Sequence, residues 1–307
     1  MGMREALEKY GWLGEKYFRR LIGGDGDFMD GYFLRIMPGA NVELPLQAIM
    51  FISKPGLKQR VRNLVIAEKG ANARVITGCT LSTNAAQHFG VTEFFVEEGA
   101  TLNFTMIHSW REDTKVRPVS AALVEDDATF VSNYICMRPA RDLKMYPRAI
   151  CRGRNSRANF NNLLYVTGDS SLDVGSMVKL EGANSKGEII SRTVAMGRSK
   201  VIVRGRLVGD NPKSRAHLEC RGILQGDAKI NAIPELVANS EGAELSHEAA
   251  VGKIAEKEIV YLMSRGLSRD EATSAIVRGF LDTSIMGLPK KLDEEIKGIV
   301  ETTLGKL

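Results

Sequence analysis

Apolar residues recur at helical spacing near the start of the chain, where Leu7, Tyr10, Leu13, Tyr17 and Leu21 predict a helix over about Arg4 to Leu21. Gly11 and Gly14 interrupt that pattern, and Gly23-Gly24-Asp25-Gly26-Asp27 ends it. From Gly31 to about Leu245 the period falls to two. Leu102, Phe104 and Met106 alternate with Thr101, Asn103 and Thr105, and Val201 and Val203 alternate less cleanly around Ile202. Gly and Asn punctuate these short strands. The tripeptide Glu-Gly-Ala begins at Glu98, Glu181 and Glu241, while Gly70, Gly99 and Asp127 stand in similar turns 29 and 28 residues apart. A loose period of turn-strand units predicts coils stacked in a β-helix, each burying its inner face on the next. A β-sandwich is the alternative, and the repeated Gly-Ala turns favour the solenoid.

After Ile254 the helical period returns. Ile259, Leu262 and Met263 share one face, and Gly266 is a natural stop. Ser268-Arg269-Asp270-Glu271 has the form of a capping box, followed by the apolar face of Ala272, Ala275, Ile276 and Phe280. Pro289 starts a last helix with Leu292, Ile296, Ile299, Val300 and Leu304 on one stripe. The expected organisation is a helical segment over 1–30, a β-helix core over 31–250 and a C-terminal helical domain over 251–307. Such a tail can cap a solenoid or dock a partner.

Composition narrows the function more than the fold. The chain has 307 residues, of which 44% are hydrophobic and 26% charged, as in ordinary soluble proteins. The net charge of +5 is too small to suggest nucleic acid unless it is clustered. The densest cluster, Arg148, Arg152, Arg154 and Arg157, is expected to be a solvated turn. The first residues carry no apolar segment suited to a signal peptide, and the run from Ala48 to Ile52 is too short to span a bilayer. A cytoplasmic protein without membrane contact is expected. Cys79, Cys136, Cys151 and Cys220 show no CxxC spacing and are expected to be free thiols.

Several chemistries lack their motifs. Gly182 and Gly187 have the glycine spacing of a phosphate loop, but Glu188 stands where the lysine is needed, so no bound nucleotide is expected. There is no HExxH and no GxSxG. A calcium hand starting at Asp25 would have Asp30 in place of its sixth-position glycine. Paired carboxylates of a sugar-cleaving β-helix are possible but unspecific. The junction Leu245–Ile254 places His247 and Glu248 where strands give way to helices, and Cys220 lies in a preceding strand. Soft-metal chemistry could be built there. From the residues alone, Cys220 shares strand parity with Leu218 and Leu224 and reads as a buried core thiol. His247 reads as a hydrogen-bonded junction residue, and Glu248 as a charge favouring a helix start.

Ser246–Ile254, Tyr261–Ser268 and Ile276–Leu281 resemble the C-terminal signature of the SufB/SufD family, the scaffold proteins of the SUF iron–sulfur cluster assembly system. Weaker likenesses are Gly31–Leu34, Tyr146-Pro147, Arg152–Arg157, Gly209–Gly226 and Pro234–Leu236, so the resemblance spans about Gly31 to Leu307. It implies a mainly β protein: a right-handed parallel β-helix with a C-terminal α-helical domain. It also implies a non-catalytic scaffold in a short, single-gene form. Its partners would be a SufC-like ABC ATPase, a second copy of the chain paired through the last coils, a sulfur donor and an iron source. A transient iron–sulfur cluster would be the cargo. Cys220 matches the position of a key SufB cysteine, His247 that of a SufD histidine and Glu248 an acidic SufB position, so all three become candidate ligands. Tyr261, Arg265, Gly266, Leu267, Arg278 and Phe280 become candidate ATPase contacts. A sulfur-transfer cysteine of SufB falls at Ala149, and Cys151, two residues on and facing the same side, is a candidate substitute. The cysteine cluster near the start of many SufB proteins is absent. A carbohydrate-active β-helix and an ATPase adaptor holding no cluster are the competing expectations.

Overall fold

The structure, a computed structural model, describes residues 1–24, 27–83, 86–111, 113–281 and the single positions 286, 290, 294 and 298. The last helix expected from Pro289 and the Asp25-Gly26 pair lie outside the described residues. The chain opens with two short helices, α1 (Met3–Lys9) and α2 (Trp12–Lys16), where the apolar spacing predicts one. The break falls at Tyr10-Gly11, and Gly11 is the N-cap of α2. An interior glycine weakens a helix by about 1 kcal/mol, enough to divide so short a segment.

Strands then follow almost without interruption. The first are β1 (Phe33–Ile36), β2 (Leu46–Ile52), β3 (Lys58–Ala67), β4 (Asn72–Leu81), β5 (Gln87–Val96) and β6 (Thr101–Ser109). The middle coils hold β7 (Lys115–Val116), β8 (Val119–Val124), β9 (Thr129–Arg138), β10 (Asp142–Met145), β11 (Arg148–Cys151) and β12 (Arg157–Val166). The last are β13 (Ser171–Leu180), β14 (Lys186–Ala195), β15 (Lys200–Gly209), β16 (Arg215–Leu224), β17 (Lys229–Ala238) and β18 (Glu244–Lys253). Two helices close the described chain, α3 (Glu256–Met263) and α4 (Arg269–Phe280).

Every pairing between these strands is parallel, which excludes the sandwich. Successive strands fall on two sheets in turn, except that β7 and β8, and β10 and β11, lie together on the first; that sheet runs from β1 to β17 and the second from β2 to β18. The fold is a parallel β-solenoid of about seven turns. Registers such as Asn72↔Thr101, Thr101↔Thr129 and Arg157↔Lys186 bear out the period read from Gly70, Gly99 and Asp127. Along one edge of the solenoid most corners hold a left-handed residue, the turn at Pro212-Lys213 excepted. Gly39, Gly70, Gly99, Asp127, Asn155, Asn184 and Gly242 supply it, with φ between +55° and +87°. Glycine, asparagine and aspartate are the residues that visit this region at least cost. Asn155 donates to Asp127 and Asn184 to Asn155, which ties the corners of successive coils together. Of the three Glu-Gly-Ala tripeptides, the middle one is out of step: Asn184, two residues after Gly182, holds the left-handed corner.

Inward residues form one continuous core along the solenoid, with Phe94 against Phe104 (4.7 Å between ring centroids) and Phe130 (5.1 Å). Two satellite clusters pack outside the sheets. Met3, Ala6, Leu13 and Tyr17 cover Leu64, Ile66, Phe95 and Leu123 on the first sheet. Val277 and Leu281 cover Ile135, Leu163, Tyr165 and Val194 on the second. The capping box forms as expected: Ser268 Oγ accepts from the Glu271 N–H, and Glu271 accepts from the Ser268 N–H. Ser268→Ala is expected to lower stability by about 1 kcal/mol, read as a shift in urea midpoint. Gly266 takes φ +97° just after α3. Met263, expected on the buried face with Ile259, is 41% exposed, because α3 packs chiefly on α4 and only a narrow stripe is covered.

Candidate functional site

The last two strands of the second sheet, β16 and β18, carry the three candidate ligands. In β16 the buried positions Ala216, Leu218, Cys220 and Gly222 alternate with His217, Glu219 and Arg221, so the even residues face the core. Register sets Leu218 beside His247, Cys220 beside Ala249 and Glu219 beside Glu248. Cys220 and His247 therefore share the inner face, on adjacent strands and two positions apart along them. Strand spacing and rise put their Cα atoms about 8 Å from each other. Glu248 points from the opposite face, so within one chain it does not join the other two. Cys220 is 2% exposed, whereas His247, with no coil beyond it, is exposed. Burial, with the Glu219 carboxylate beside it, pushes the Cys220 thiol up to about 11. It is protonated at neutral pH, and binding a metal must expel that proton.

The outer face of the same strands holds a group that the sequence pattern did not mark. His217, Glu219 and Glu248 offer ligand atoms that all lie within 4.8 Å of one another. Arg221 bridges the two carboxylates at 3.2 and 3.3 Å, and His217 Nδ1 lies 2.9 Å from Ser246 Oγ. The available signal was parity: positions 217 and 219 alternate with Cys220 on one strand.

Cys151 is fully buried at the end of β11, on the other sheet, and its thiol is pushed up to about 12 by burial. Two further coil steps separate it from the Cys220 level, or about 10 Å along the axis. The structure does not bring the two thiols together. Cys79 and Cys136 are buried in the core and are likewise pushed up to about 12.

The final coil ends in open strand edges. Among the described residues no strand pairs with the far side of β17 or β18. Glu244 N–H donates to Ser214, so in this ladder the N–H groups of Leu245, His247, Ala249 and Val251 face outward from the stack. In β17 the Lys229 and Asn239 N–H groups point back to β15. Pro234 has the other parity, so its missing N–H falls on the open side and breaks no ladder bond. Beside this end, α3 exposes Val260, Tyr261 and Met263, and Arg265 lies over the Tyr261 ring at 5.4 Å. Gly266 and Arg278 are exposed, Leu267 is half-buried, and Phe280 packs inward against the solenoid.

A parallel solenoid with a thiol on its penultimate coil and an imidazole on its last can now be set beside known proteins. The family model described as "SUF system FeS cluster assembly, SufBD core domain" matches residues 50–280. The chain belongs to this SufBD family. It is 46% identical to an "Iron-sulfur cluster assembly SufBD family protein" of Archaeoglobus fulgidus, over 98% of this chain and 84% of that one. A protein with the same description from Methanothermobacter thermautotrophicus is 44% identical, over 99% and 78% of the respective chains. A Staphylococcus aureus relative is 27% identical, over 96% and 66%. No helix among the described residues is long and apolar enough to cross a membrane.

Proposed function

We propose that this chain is a non-catalytic scaffold on which iron–sulfur clusters are assembled, working as a homodimer with a SufC-type ABC ATPase. The reading rests on one observation: Cys220 and His247 share the inner face of the last two coils, beside strand edges left open in the single chain. Antiparallel pairing of β18 with its copy about a two-fold axis would satisfy the outward N–H groups of Leu245, His247, Ala249 and Val251. It would also bring two Cys220–His247 pairs to one seam. Thiolate and imidazole are both ligands for iron in clusters. The His217, Glu219 and Glu248 group offers one nitrogen and two carboxylates, a donor set suited to incoming ferrous iron before sulfide meets it. The ATPase would engage the exposed face of α3 around Val260, Tyr261 and Arg265, and ATP hydrolysis in that partner would drive opening of the seam. Sulfur donor, iron source and recipient are separate proteins or small molecules in this scheme, and the protein acts in the cytoplasm.

Anaerobic reconstitution with ferrous iron and sulfide tests the ligand roles. Cys220→Ser is expected to abolish, and His247→Ala to reduce, the visible absorbance of the cluster, with sedimentation unchanged. Wild-type absorbance in both variants would sink the proposal.

A further inference from the structure

The arginine-rich stretch expected to be a solvated turn divides into two kinds of residue. Arg148 donates to the Leu21 carbonyl at 2.9 Å, Arg152 pairs with Glu125, and Arg154 reaches Asp127 at 3.9 Å. Arg157 has no ion-pair partner among the described residues. It opens β12, and register stacks it beside Lys186, the first residue of β14, which in turn stacks beside Arg215, the first residue of β16. Lys186 is also unpaired among the described residues, and only Arg215 has a counter-charge, Glu244 at 3.1 Å. Neighbouring strands lie about 4.8 Å apart, so three exposed cations stand in register at close range. Like charges directly opposite one another across strands destabilise a sheet. Glu244 neutralises Arg215 at the end of the column, which leaves Arg157 and Lys186 as adjacent, exposed like charges with no ion-pair partner among the described residues.

The next outward column, Asn159–Glu188–His217–Ser246, runs alongside. Together the two columns line an open groove of about 750 Å³. That lies within the size range of small-molecule sites. Glu188 is the one carboxylate there besides Glu244, and it makes no ion pair with the three cations.

We propose that this groove binds a small multivalent oxyanion, a polyphosphate or a polycarboxylate. Arg157 would supply a planar fork for two oxygens of one anionic group, and Lys186 a point charge one strand away. A ligand with two or more charged groups relieves the repulsion between adjacent cations, whereas a monovalent one satisfies a single position. The inference stands on the charge column and not on the cluster role.

Equilibrium dialysis with pyrophosphate and, in a separate arm, with citrate tests it at constant ionic strength. Saturable binding is expected in at least one arm, and the tighter arm identifies phosphate or carboxylate as the recognised group. The Arg157→Ser/Lys186→Ser double variant is expected to weaken that binding by at least about tenfold, since it removes two charge-assisted contacts. Both side chains are exposed and repel each other, so a melting temperature that holds or rises checks the fold. Lys200 and Lys229, the first residues of β15 and β17, form a stacked pair on the other sheet and serve as the control. Lys200→Ser/Lys229→Ser should leave affinity within about twofold, as expected for exposed charges at a distance. Absence of saturable binding, equal loss in the control, or acetate competing as well as citrate would each overturn the proposal.

Discussion

Glu93→Ala will lower the stability of the folded chain by about 3–5 kcal/mol, the cost of breaking a buried ion pair from one side. Glu93 has no solvent exposure and sits on the outer face of β5, under the segment that follows α2. Its carboxylate accepts from the N–H groups of Arg19 (2.9 Å), Leu21 (2.8 Å) and Ile22 (3.0 Å) and from Arg62 (3.1 Å). Without it, Arg62 remains as a buried, uncompensated cation, and three backbone donors lose their acceptor. Glu93→Gln keeps an acceptor oxygen and should cost less. The urea midpoint at neutral pH reads the effect. A loss below about 1 kcal/mol would mean that the pair behaves as a surface salt bridge and that the N-terminal segment is not clasped there.

Acid should weaken the fold well before most carboxylates titrate. Burial holds His88 down at about 4, and His108 well below its ordinary value, with the neighbouring His88 adding to the effect of burial. In the unfolded chain each titrates near 6.5. Below that pH the unfolded state takes up protons that the native state refuses. Stability is therefore present above about pH 6.5 and falls as pH drops towards 4. His88 alone accounts for about 3 kcal/mol over that window, and His108 acts in the same direction. Its Nδ1 lies 3.0 Å from Tyr134 Oη, and its buried Nε2 has no hydrogen-bond partner among the described residues. Urea midpoints between pH 7 and 4.5 should converge for wild type and a His88→Gln/His108→Gln variant as pH falls. Parallel pH curves for the two proteins would refute this account.

The solenoid was legible in the sequence because its corners constrain backbone chemistry. A left-handed residue recurs at most corners of one edge, and only a few residue types tolerate it, so Gly70, Gly99 and Asp127 betray the period. Family membership was legible from the specific tail segments. The position of Glu248 relative to Cys220 was harder to foresee, since parity assigns faces within one strand but not between strands. That needed the register Glu219↔Glu248. The same holds for His217 and Glu219, and for the column Arg157–Lys186–Arg215, whose members are far apart in the chain. The division of the first helix at Gly11 shows local backbone entropy overriding a sound apolar stripe.

A stack in which each coil touches only its neighbours comes apart from its ends, as a row of dominoes does, and not all at once. The terminal turn has support on one side only, so its amides should be the quickest to exchange with deuterium, ahead of those in β12 and β14. The cysteine proposed to hold the cargo lies one layer beneath. Peeling back a single strand would uncover it, at a small fraction of the work needed to unravel the whole molecule.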